Sequence, residues 1–338
     1  MKNKGKTLIY LQDPGGTNFI KLSLKGLINK FDTIIVSHNL SAPILKSVEV
    51  IPDYEISSVV DQDFWLKFFK NNKITKIIST LSSKYVDLSN CNLIKAAKTA
   101  NIDSLGFFDH WKGYDRLFED GSLEYVTDDI CVIDEFVKQK FISFGFSKDK
   151  LHKVGHPHLL NRLKNKKVNI TNKENIKLCI LSQPDTLSKS FESVFLTKNN
   201  QFISSLKNII EEKELNIDLY LRRHPKENYL DSEIMEDPNV YWEDSLNFYD
   251  VFIGINSIAL IEACLIGKKT FSIDQSNFNV EDDALPYQIF ASCKTVEDLI
   301  YQLSNEINHS KNEKNKFITM LLDSDKKFNI VLENFLDK

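Results

Sequence analysis

The chain has 338 residues, a length that suits two domains of about 150 residues each. Hydrophobic residues make up 42% and charged residues 27% of the chain, a composition typical of globular proteins that excludes a wholly disordered chain. The 43 lysines and arginines are balanced by 47 aspartates and glutamates, so the formal net charge of −4 provides no overall positive field for nucleic acid, and we expect no nucleic acid partner.

The first half of the chain alternates short apolar runs with longer amphipathic segments. The runs predicted as strands are 7–11, 33–37, 74–79, 104–108 and 130–133. Helical patterns lie between them, notably at 18–30 and 86–100. This alternation is typical of βαβ units that build a parallel sheet.

A second series with the same alternation begins at residue 176. Its predicted strands are 176–181, 217–221, 251–255 and 269–272, and its clearest helices are 197–214 and 257–266. We therefore predict an α/β protein with two Rossmann-like domains. The predicted segments are an N-terminal domain at 1–158, a lysine-rich linker at 159–175, a C-terminal domain at 176–312 and a closing helix at 313–338.

The sequence favours a cytoplasmic protein with reduced cysteines. The apolar run after the basic start is too short for a signal peptide, and no later stretch reaches the roughly 18 apolar residues of a membrane span. Surface contact with an anionic membrane is one interpretation of the linker cations Arg162, Lys164, Lys166 and Lys167, and a solvated linker is the alternative. Five widely spaced cysteines indicate core residues. No residue cluster has convincing metal-ligand spacing, so we expect no metal or other cofactor.

Ligands of open parallel sheets bind outside the carboxyl ends of the strands, so the residues that follow each strand are the candidates for a site. The first strand is followed by "QDPGGTN" at 12–18. Gly15 and Gly16 allow a tight turn and a close approach to an acceptor, and Thr17 or Asn18 can cap the next helix. A plain strand-to-helix junction is the alternative. The spacings of dinucleotide fingerprints and of P-loops are absent.

The segment "DHWKGYDRLF" at 109–118 follows the strand that ends near residue 108. Asp109 is a candidate for taking a proton from a hydroxyl nucleophile, and His110 is a catalytic candidate for orienting the acceptor. Trp111, Tyr114 and Arg116 are candidates for binding an acceptor or a sugar acid. The alternative is a surface loop in which the two aromatic rings only pack beneath.

In the second domain, "LRRHPKE" at 221–227 ends a strand on positive charge. His224 can donate a hydrogen bond to a phosphate oxygen, Pro225 fixes the turn, and Arg222 and Arg223 add positive charge. This pattern predicts anion binding, and a solvated charge cluster is the alternative.

Two further strand ends in the same domain are polar. Asn256 and Ser257 precede a helix whose N-terminus attracts negative charge, and Glu262 within that helix is a candidate for binding ribose hydroxyls. Ser182 and Gln183 follow the first strand of this domain. We expect them to form another wall of the same donor site.

With these motifs, almost the whole chain resembles the two-domain GT-B glycosyltransferases. The His224-Pro225 pair together with the Ser257 helix is similar to the CMP-binding pair of bacterial sialyl-, polysialyl- and Kdo-type transferases. The resemblance implies two domains facing a cleft and a closing helix that packs across both. It further implies that His224 and the helix start hold the phosphate of CMP.

These transferases carry an acid-acid-Gly motif that supplies the base. Glu119, Asp120 and Gly121 match it by letter, but they lie about ten residues beyond the strand end. We therefore place the base at Asp109, with Asp120 and then Asp13 as the other candidates.

The expected activity is metal-independent transfer of a nonulosonic acid or Kdo-like sugar from its CMP derivative to a surface glycan, including a lipid-linked one. His-Pro also occurs in CDP-glycerol glycerophosphotransferases. The segment "NSIALIEACLIGKKTFSID" resembles UDP-N-acetylglucosamine 2-epimerases, which share the fold. An epimerase, a glycerophosphotransferase and a non-catalytic nucleotide-sugar-binding module are therefore the alternatives.

Overall fold

The computed structural model describes residues 5–85, 87–165, 175–184, 200–225, 227, 232–273, 285–305 and 311–338. The chain divides into two compact units. Unit 1 comprises Met1–Leu160 and Met320–Lys338, and unit 2 comprises Asn161–Thr319.

Unit 1 is built on a parallel sheet. Its strands are β1 (Lys6–Leu11), β2 (Thr33–His38), β3 (Tyr54–Ile56), β4 (Ile74–Thr80), β5 (Asp103–Phe107), β8 (Asp129–Val132) and β9 (Leu151–Lys153). Within the described residues, these seven strands pair in the order β3-β2-β1-β4-β5-β8-β9. A separate antiparallel hairpin consists of β6 (Phe118–Glu119) and β7 (Ser122–Leu123).

The helices of unit 1 follow the strands as βαβ crossovers require. They are α1 (Pro14–Lys30), α2 (Ala42–Ser47), α3 (Gln62–Asn72), α4 (Ser89–Ala100), α5 (Glu135–Ser143) and α6 (Pro157–Lys164). The helices bury apolar faces on a sheet whose central strands are buried along almost their whole length. Trp65 on α3 is fully buried, and its indole N–H is bonded to the carbonyl of Ser89 at 2.9 Å.

Unit 2 repeats this arrangement. Its strands are β10 (Ile176–Leu181), β11 (Ile217–Arg222), β12 (Met235–Glu236), β13 (Val251–Gly254), β14 (Lys269–Ile273) and β15 (Ala291–Cys293). In the described part of unit 2 they form a six-stranded parallel sheet in the order β12-β11-β10-β13-β14-β15. The helices are α7 (Asn200–Glu212), α8 (Trp242–Phe248), α9 (Ile258–Leu265), α10 (Val296–Ser304) and α11 (Lys311–Leu321).

The α/β class and both parallel sheets are confirmed, and every predicted strand is present to within about two residues. The additional strands, such as β3 and β12, are two or three residues long and lie mostly at sheet edges. The helix predicted at 86–100 begins later, at Ser89. The start of the helix predicted at 197–214 lies outside the described residues.

The predicted linker at 159–175 begins as a helix. α6 runs through the boundary between the units, and Arg162 bonds Glu262 Oε2 at 2.7 Å and Glu243 Oε1 at 2.9 Å. Arg162 is therefore part of an ion-pair cluster of unit 2 instead of a solvated linker. Lys166 and Lys167 lie outside the described residues.

The single closing helix predicted at 313–338 is two helices, because the chain turns at Asp323 with a φ of 60°. The second helix, α12 (Ser324–Asp337), belongs to unit 1. Phe328 on α12 packs edge-on against Phe19 and Phe107, with ring centroids 5.1 and 5.9 Å away. Lys76 on β4 donates to the carbonyls of Phe335 and Leu336 at 2.8 and 2.9 Å, which closes the end of α12.

No helix among the described residues is long and apolar enough to cross a membrane. The five cysteines are all buried and free, as the sequence predicts.

Gly155 has a φ of +79°, and a Cβ built there would overlap the side chain of Ser324. We predict that Gly155→Ala lowers the free energy of unfolding by more than the roughly 1–2 kcal/mol cost of a left-handed alanine. Gly145→Ala is the matched control, because Gly145 has a φ of +91° and no neighbouring atom within 4 Å of that Cβ. Urea unfolding of both variants measures the difference, and equal losses would contradict a packed contact between Gly155 and α12.

Candidate functional site

The strand orders place a topological switch point in each sheet. β1 lies between β2 and β4, and β10 lies between β11 and β13, so the chain leaves each of these strands to one side and later returns on the other. Ligands of such sheets bind at the carboxyl ends beside the switch point. The candidate residues of both units lie at or near these carboxyl ends.

In unit 1, α1 begins earlier than predicted. Asp13 is its N-cap, with Oδ1 accepting from the Gly16 amide at 3.1 Å, and Pro14 occupies the first turn, where its fixed φ suits a helix start. The predicted capping by Thr17 or Asn18 is therefore wrong. The Thr17 hydroxyl lies 2.8 Å from the Asp13 carbonyl and 2.7 Å from Ser41 Oγ. Asn18 Oδ1 accepts from Lys21 Nζ at 2.8 Å.

The two glycines at the start of α1 are needed for packing within the protein. A Cβ on Gly15 would overlap Asp109 Oδ2, and a Cβ on Gly16 would overlap the side chain of Thr80. The carboxyl groups of Asp13 and Asp109 thus both lie at the positive end of α1, which stabilises negative charge. Gly15 itself is exposed, so this position is accessible from solvent.

Asp109 is a buried carboxyl with one cationic partner. Burial raises its pKa, Arg116 opposes this effect, and the negative charge of Asp13 adds to it. Arg116 Nη2 lies 3.0 Å from Asp109 Oδ1, and its guanidinium stacks 4.3 Å from the centre of the Phe108 ring. A carboxylate with a raised pKa is a stronger base than an ordinary aspartate. This is the property that a proton-accepting residue requires.

The neighbouring His110 is a neutral group. Burial lowers its pKa to about 3, and the charges of Arg116 and Lys112 act in the same direction. The Lys112 amide donates to Nδ1 at 3.1 Å, so the proton is assigned to Nε2. His110 can therefore donate a hydrogen bond to a substrate oxygen, but at neutral pH it has no spare proton to give.

Trp111 and Tyr114 have structural roles. Trp111 is fully buried and donates to Asp134 Oδ2 at 2.6 Å, and Asp134 caps α5. Tyr114 is 8% exposed and stacks on Phe108 at 5.0 Å. The predicted acceptor contacts of both rings are replaced by packing beneath the loop, because neither ring has the exposed face that stacking on a sugar requires.

The Glu119-Asp120-Gly121 motif forms the turn of the β6-β7 hairpin. Asp120 and Gly121 have φ values of 47° and 82°, which match the two central positions of a type I′ turn. The side chain of Glu119 is bonded to Tyr125 at 2.7 Å and to Lys95 at 2.5 Å. Local turn chemistry therefore accounts for Asp120 and Gly121, and a role of Asp120 as base stays a prediction.

A buried polar network beside the β1-β4 switch point is absent from the sequence-based candidates. His38 Nε2 lies 3.2 Å from Asp87 Oδ2, and Gln12 Nε2 donates to the Asp87 carbonyl at 3.0 Å. The Asn90 amide donates to Gln12 Oε1 at 2.8 Å. His38 lies at the end of β2, so the strand-end rule can select it from sequence. Asp87 lies seven residues beyond the end of β4, which is too far for that rule to select it.

In unit 2, the polar residues after β10 and β13 contact one another. Gln183 Nε2 donates to Asn256 Oδ1 at 2.9 Å, and Gln183 Oε1 accepts from the Asn256 amide at 3.2 Å. Ser257 caps α9 by accepting from the Leu260 amide at 3.2 Å, as predicted. The N-terminus of α9 is therefore capped by a neutral hydroxyl, whereas that of α1 already holds carboxylates.

The two arginines at the end of β11 are held by acidic residues. Arg222 Nη1 contacts Asp237, the Asn239 carbonyl and Ser245 Oγ, the last two at 2.9 and 2.8 Å. Burial acts against the ionised form of Asp237, but hydrogen bonds from Ser245, Asn239 and Arg222 hold its pKa below the usual value. Arg223 is bonded to Glu236 at 2.5 Å. These contacts favour structural ion pairs over phosphate binding for Arg222 and Arg223.

Glu262 also has a structural partner. Its Oε2 accepts from Arg162 Nε at 2.7 Å and from Trp242 Nε1 at 3.0 Å, and the residue is only 4% exposed. The predicted ribose contact would have to compete with this buried ion pair. We therefore assign Glu262 to the packing of α9 instead of to the donor site.

His224 and Pro225 begin a turn in which the Glu227 amide donates to the His224 carbonyl at 3.0 Å. Burial raises the pKa of Glu227 to about 7, against the hydrogen bond from Ser182 and the charge of Arg223. Ser182 is tied to β11 through its amide, which donates to the Arg222 carbonyl at 2.9 Å. Ser182, His224 and Glu227 thus lie at adjacent strand ends, and phosphate binding by His224 stays a prediction.

Among the described residues, no group of three histidines, cysteines or acids is placed to hold a metal ion. Independence from metals stays a prediction that an assay in chelator tests.

Solved structures that resemble this chain include UDP-GlcNAc 2-epimerases and a galactosyltransferase. The UDP-GlcNAc 2-epimerase of Methanocaldococcus jannaschii has a TM-score of 0.66 at 14% identity, with 97% of this chain and 99% of that chain covered. The Neisseria meningitidis UDP-GlcNAc 2-epimerase, solved with UDP-GlcNAc, has a TM-score of 0.64 at 11% identity, with 98% and 100% covered. The lipopolysaccharide outer core galactosyltransferase WaaB has a TM-score of 0.54 at 11% identity, with 97% and 99% covered.

Comparisons with protein families and with curated protein sequences found no match. At such low identities the structural similarity shows the fold alone. The chain has the GT-B fold, with two Rossmann-like units, as its resemblance to GT-B transferases implies.

We predict that Asp109→Asn stabilises the protein at alkaline pH. Because burial raises the pKa of Asp109 in the folded state, its ionisation lowers the stability of the parent as the pH rises from about 4 through the folded pKa. The advantage of the variant should therefore be absent at pH 3.5 to 4. It should then grow by roughly 1.4 kcal/mol per pH unit until the folded pKa is reached.

Urea unfolding of parent and variant at several pH values measures this difference. Asn is nearly isosteric and can still accept from Arg116, so the comparison isolates the charge. An advantage of the parent that grows with pH would mean that Arg116 lowers the pKa of Asp109 instead.

Proposed function

We propose that this chain is an enzyme that acts on a nucleotide-activated sugar, and that it acts on a UDP-sugar as UDP-N-acetylglucosamine 2-epimerases do. The observation that carries the proposal is the similarity over almost the full length of both chains to structures of such epimerases, with 97% and 99% covered in one case. The TM-scores for the two epimerases, 0.66 and 0.64, exceed the 0.54 for the galactosyltransferase.

The charges at the N-termini of α1 and α9 support different roles for the two helices. At α1 the positive helix end is already matched by Asp13 and Asp109, which favours proton transfer over phosphate binding. At α9 the cap is the neutral Ser257, so no capping carboxylate would repel a phosphate that binds at the N-terminus of this helix. The N-terminus of α9 is therefore the proposed phosphate site of unit 2, and Asp13 and Asp109 are the proposed proton-transfer groups of unit 1.

Epimerisation at sugar carbon 2 removes the proton of that carbon, and the electron pair of the C–H bond forms a double bond to carbon 1 while the bond from carbon 1 to UDP breaks. Return of UDP to carbon 1 and of a proton to the opposite face of carbon 2 then gives the epimer. Asp109 is the proposed base, because its raised pKa makes it a better proton acceptor than an ordinary aspartate. Asp13, whose Oδ1 also approaches Gly15, is the candidate for the second proton-transfer group. His110 would donate from Nε2 to a sugar oxygen without changing its charge.

Transfer of a nonulosonic acid or Kdo-like sugar from CMP to a glycan is the second candidate. The sequence observation that favours it is the His224-Pro225 turn beside the neutral cap of α9. In this reaction the same Asp109 would deprotonate the acceptor hydroxyl, and His224 would contact the departing phosphate.

We predict that UDP raises the melting temperature more than CMP, CDP or GDP. A ligand that binds only the native state adds about 2.7 kcal/mol of stability at a hundredfold excess over its Kd. Incubation with UDP-N-acetylglucosamine in D2O should then exchange the hydrogen at sugar carbon 2, which NMR detects.

A preference for CMP, together with CMP release when a CMP-sugar and a glycan are supplied, would favour transfer. A preference for CDP would favour a glycerophosphotransferase. UDP binding without exchange or release would indicate a non-catalytic binding module, and no response to any nucleotide would contradict the proposal.

We predict that Asp109→Asn lowers turnover by about 10²- to 10⁴-fold, the range for loss of a general base, with nucleotide affinity retained. Asp120→Asn is the matched control, because an Asn-Gly pair is favoured in a type I′ turn and should leave turnover unchanged. The opposite pattern, with Asp120→Asn inactive and Asp109→Asn active, would place the base in the β6-β7 hairpin.

A further inference from the structure

A cavity opens at the amino edge of the sheet in unit 1, opposite the edge that carries the candidate site. It lies between the starts of β1 and β4 and the last turns of α3 and α4, and its volume is about 580 Å³. Binding sites for small molecules have volumes of roughly 300 to 1,000 Å³. The cavity is therefore large enough for a ligand, and the described residues that line it include none of the candidate site.

The apolar walls of this cavity are mostly aliphatic. They are formed by Leu66 and Phe69 of α3, Ile74 at the start of β4, Ala100 of α4 and Ile102. Phe69 and Ile74 are almost completely buried, whereas Ala100 is exposed. Phe69 is the one aromatic residue among these five, so the walls provide no slot between two rings for a flat ring system. A flexible aliphatic chain fits such walls better.

Three lysines border the same cavity. Lys6 begins β1, Lys70 lies in the last turn of α3, and Lys73 caps the end of that helix. Asp32 is the one acid among the described lining residues, and its Oδ1 lies 3.7 Å from Lys6 Nζ. Lys70 and Lys73 form no ion pair with any residue in the part of the chain that the structure describes. The carbonyl ends of α3 and α4 each contribute about half a negative charge, so about one positive charge is left without a counter-charge.

Lys73 has a backbone conformation that lysine rarely adopts. Its φ is 56°, in the left-handed region, and the residue that ends a helix in this conformation is usually glycine or asparagine. Asn101 holds the equivalent position at the end of α4, with a φ of 50°. The ammonium group of Lys73 is therefore kept beside the cavity at some cost in stability, and strain of this kind is common at ligand-binding positions.

We propose that this cavity binds an amphipathic monoanion, a carboxylate at the end of a single aliphatic chain. The chain lies on the apolar walls formed by Leu66, Ile74 and Ile102, and the carboxylate accepts from the ammonium groups of Lys70 and Lys73. One carboxylate supplies the single negative charge that the border of the cavity lacks. Each methylene that the walls remove from water strengthens binding by about fourfold.

Isothermal titration calorimetry of the full chain with decanoate, below the concentration at which decanoate forms micelles, tests the proposal. We expect saturable binding of one decanoate per chain. Octanoate should bind roughly tenfold more weakly, because it buries two methylenes fewer. Decyltrimethylammonium has the same chain with a cationic head, so the lysines should prevent it from binding.

Two variants locate the binding site. Lys73→Asn keeps a residue that tolerates the left-handed conformation but removes the charge, so it should weaken decanoate binding by about fivefold without lowering the melting temperature. Ala100→Phe should block the cavity, and it should fold because Ala100 is exposed. Lys67→Gln is the matched control, since Lys67 is an exposed lysine of α3 that does not line the cavity, and it should leave the affinity unchanged.

The proposal would be overturned if decanoate did not bind, or if decyltrimethylammonium bound as tightly. Unchanged affinity in Lys73→Asn or in Ala100→Phe would also overturn it, because the ligand would then bind elsewhere. Binding to vesicles of phosphatidylglycerol without binding of free decanoate would contradict it as well, since the lysines would then serve a membrane surface instead of a single chain.

Discussion

The parallel order of the strands around β1 and β10 is the constraint on which the candidate site depends. Parallel strands bring their carboxyl ends to one edge, and a reversal of the strand order opens a crevice at that edge. Polar residues far apart in sequence, such as Asp13 and Asp109, therefore lie against the same helix terminus. The two units share this geometry but differ in charge. Carboxylates occupy the N-terminus of α1 in unit 1, and a hydroxyl caps the N-terminus of α9 in unit 2.

The ion pairs of unit 2 explain why β11 ends on two arginines. Arg222 fills the space between β11 and α8 and satisfies the buried Asp237, while Arg223 binds Glu236 on β12. Breaking such a buried pair would leave an uncompensated charge, which costs several kcal/mol. Phosphate binding by His224 stays a prediction. The positive charge that marks this strand end in the sequence thus reflects folding more than binding.

Much of the fold could be predicted from sequence, because buried parallel strands appear as apolar runs and their helices as amphipathic segments. Strands of two or three residues, such as β6 and β12, leave no periodic signal and could not. For the site, the strand-end rule selected Asp13 and Asp109, whose roles stay predictions. It also selected Trp111 and Tyr114, which are buried because the burial of a loop aromatic depends on tertiary packing. Asp87 was missed because its contact with His38 joins the loop after β4 to the end of β2, which is distant in sequence.

α12 belongs to unit 1 although it is synthesised after unit 2. Phe19 and Phe107 are synthesised long before Phe328, which covers them, and residues 161–319 emerge in between. At about 5 to 20 residues per second, that interval lasts roughly 8 to 30 seconds. During this time the nascent unit 1 presents an aromatic surface to the ribosome exit and to chaperones, and the Lys76 ammonium lacks the carbonyls that it later binds. Completion of the first unit therefore waits for translation of the second.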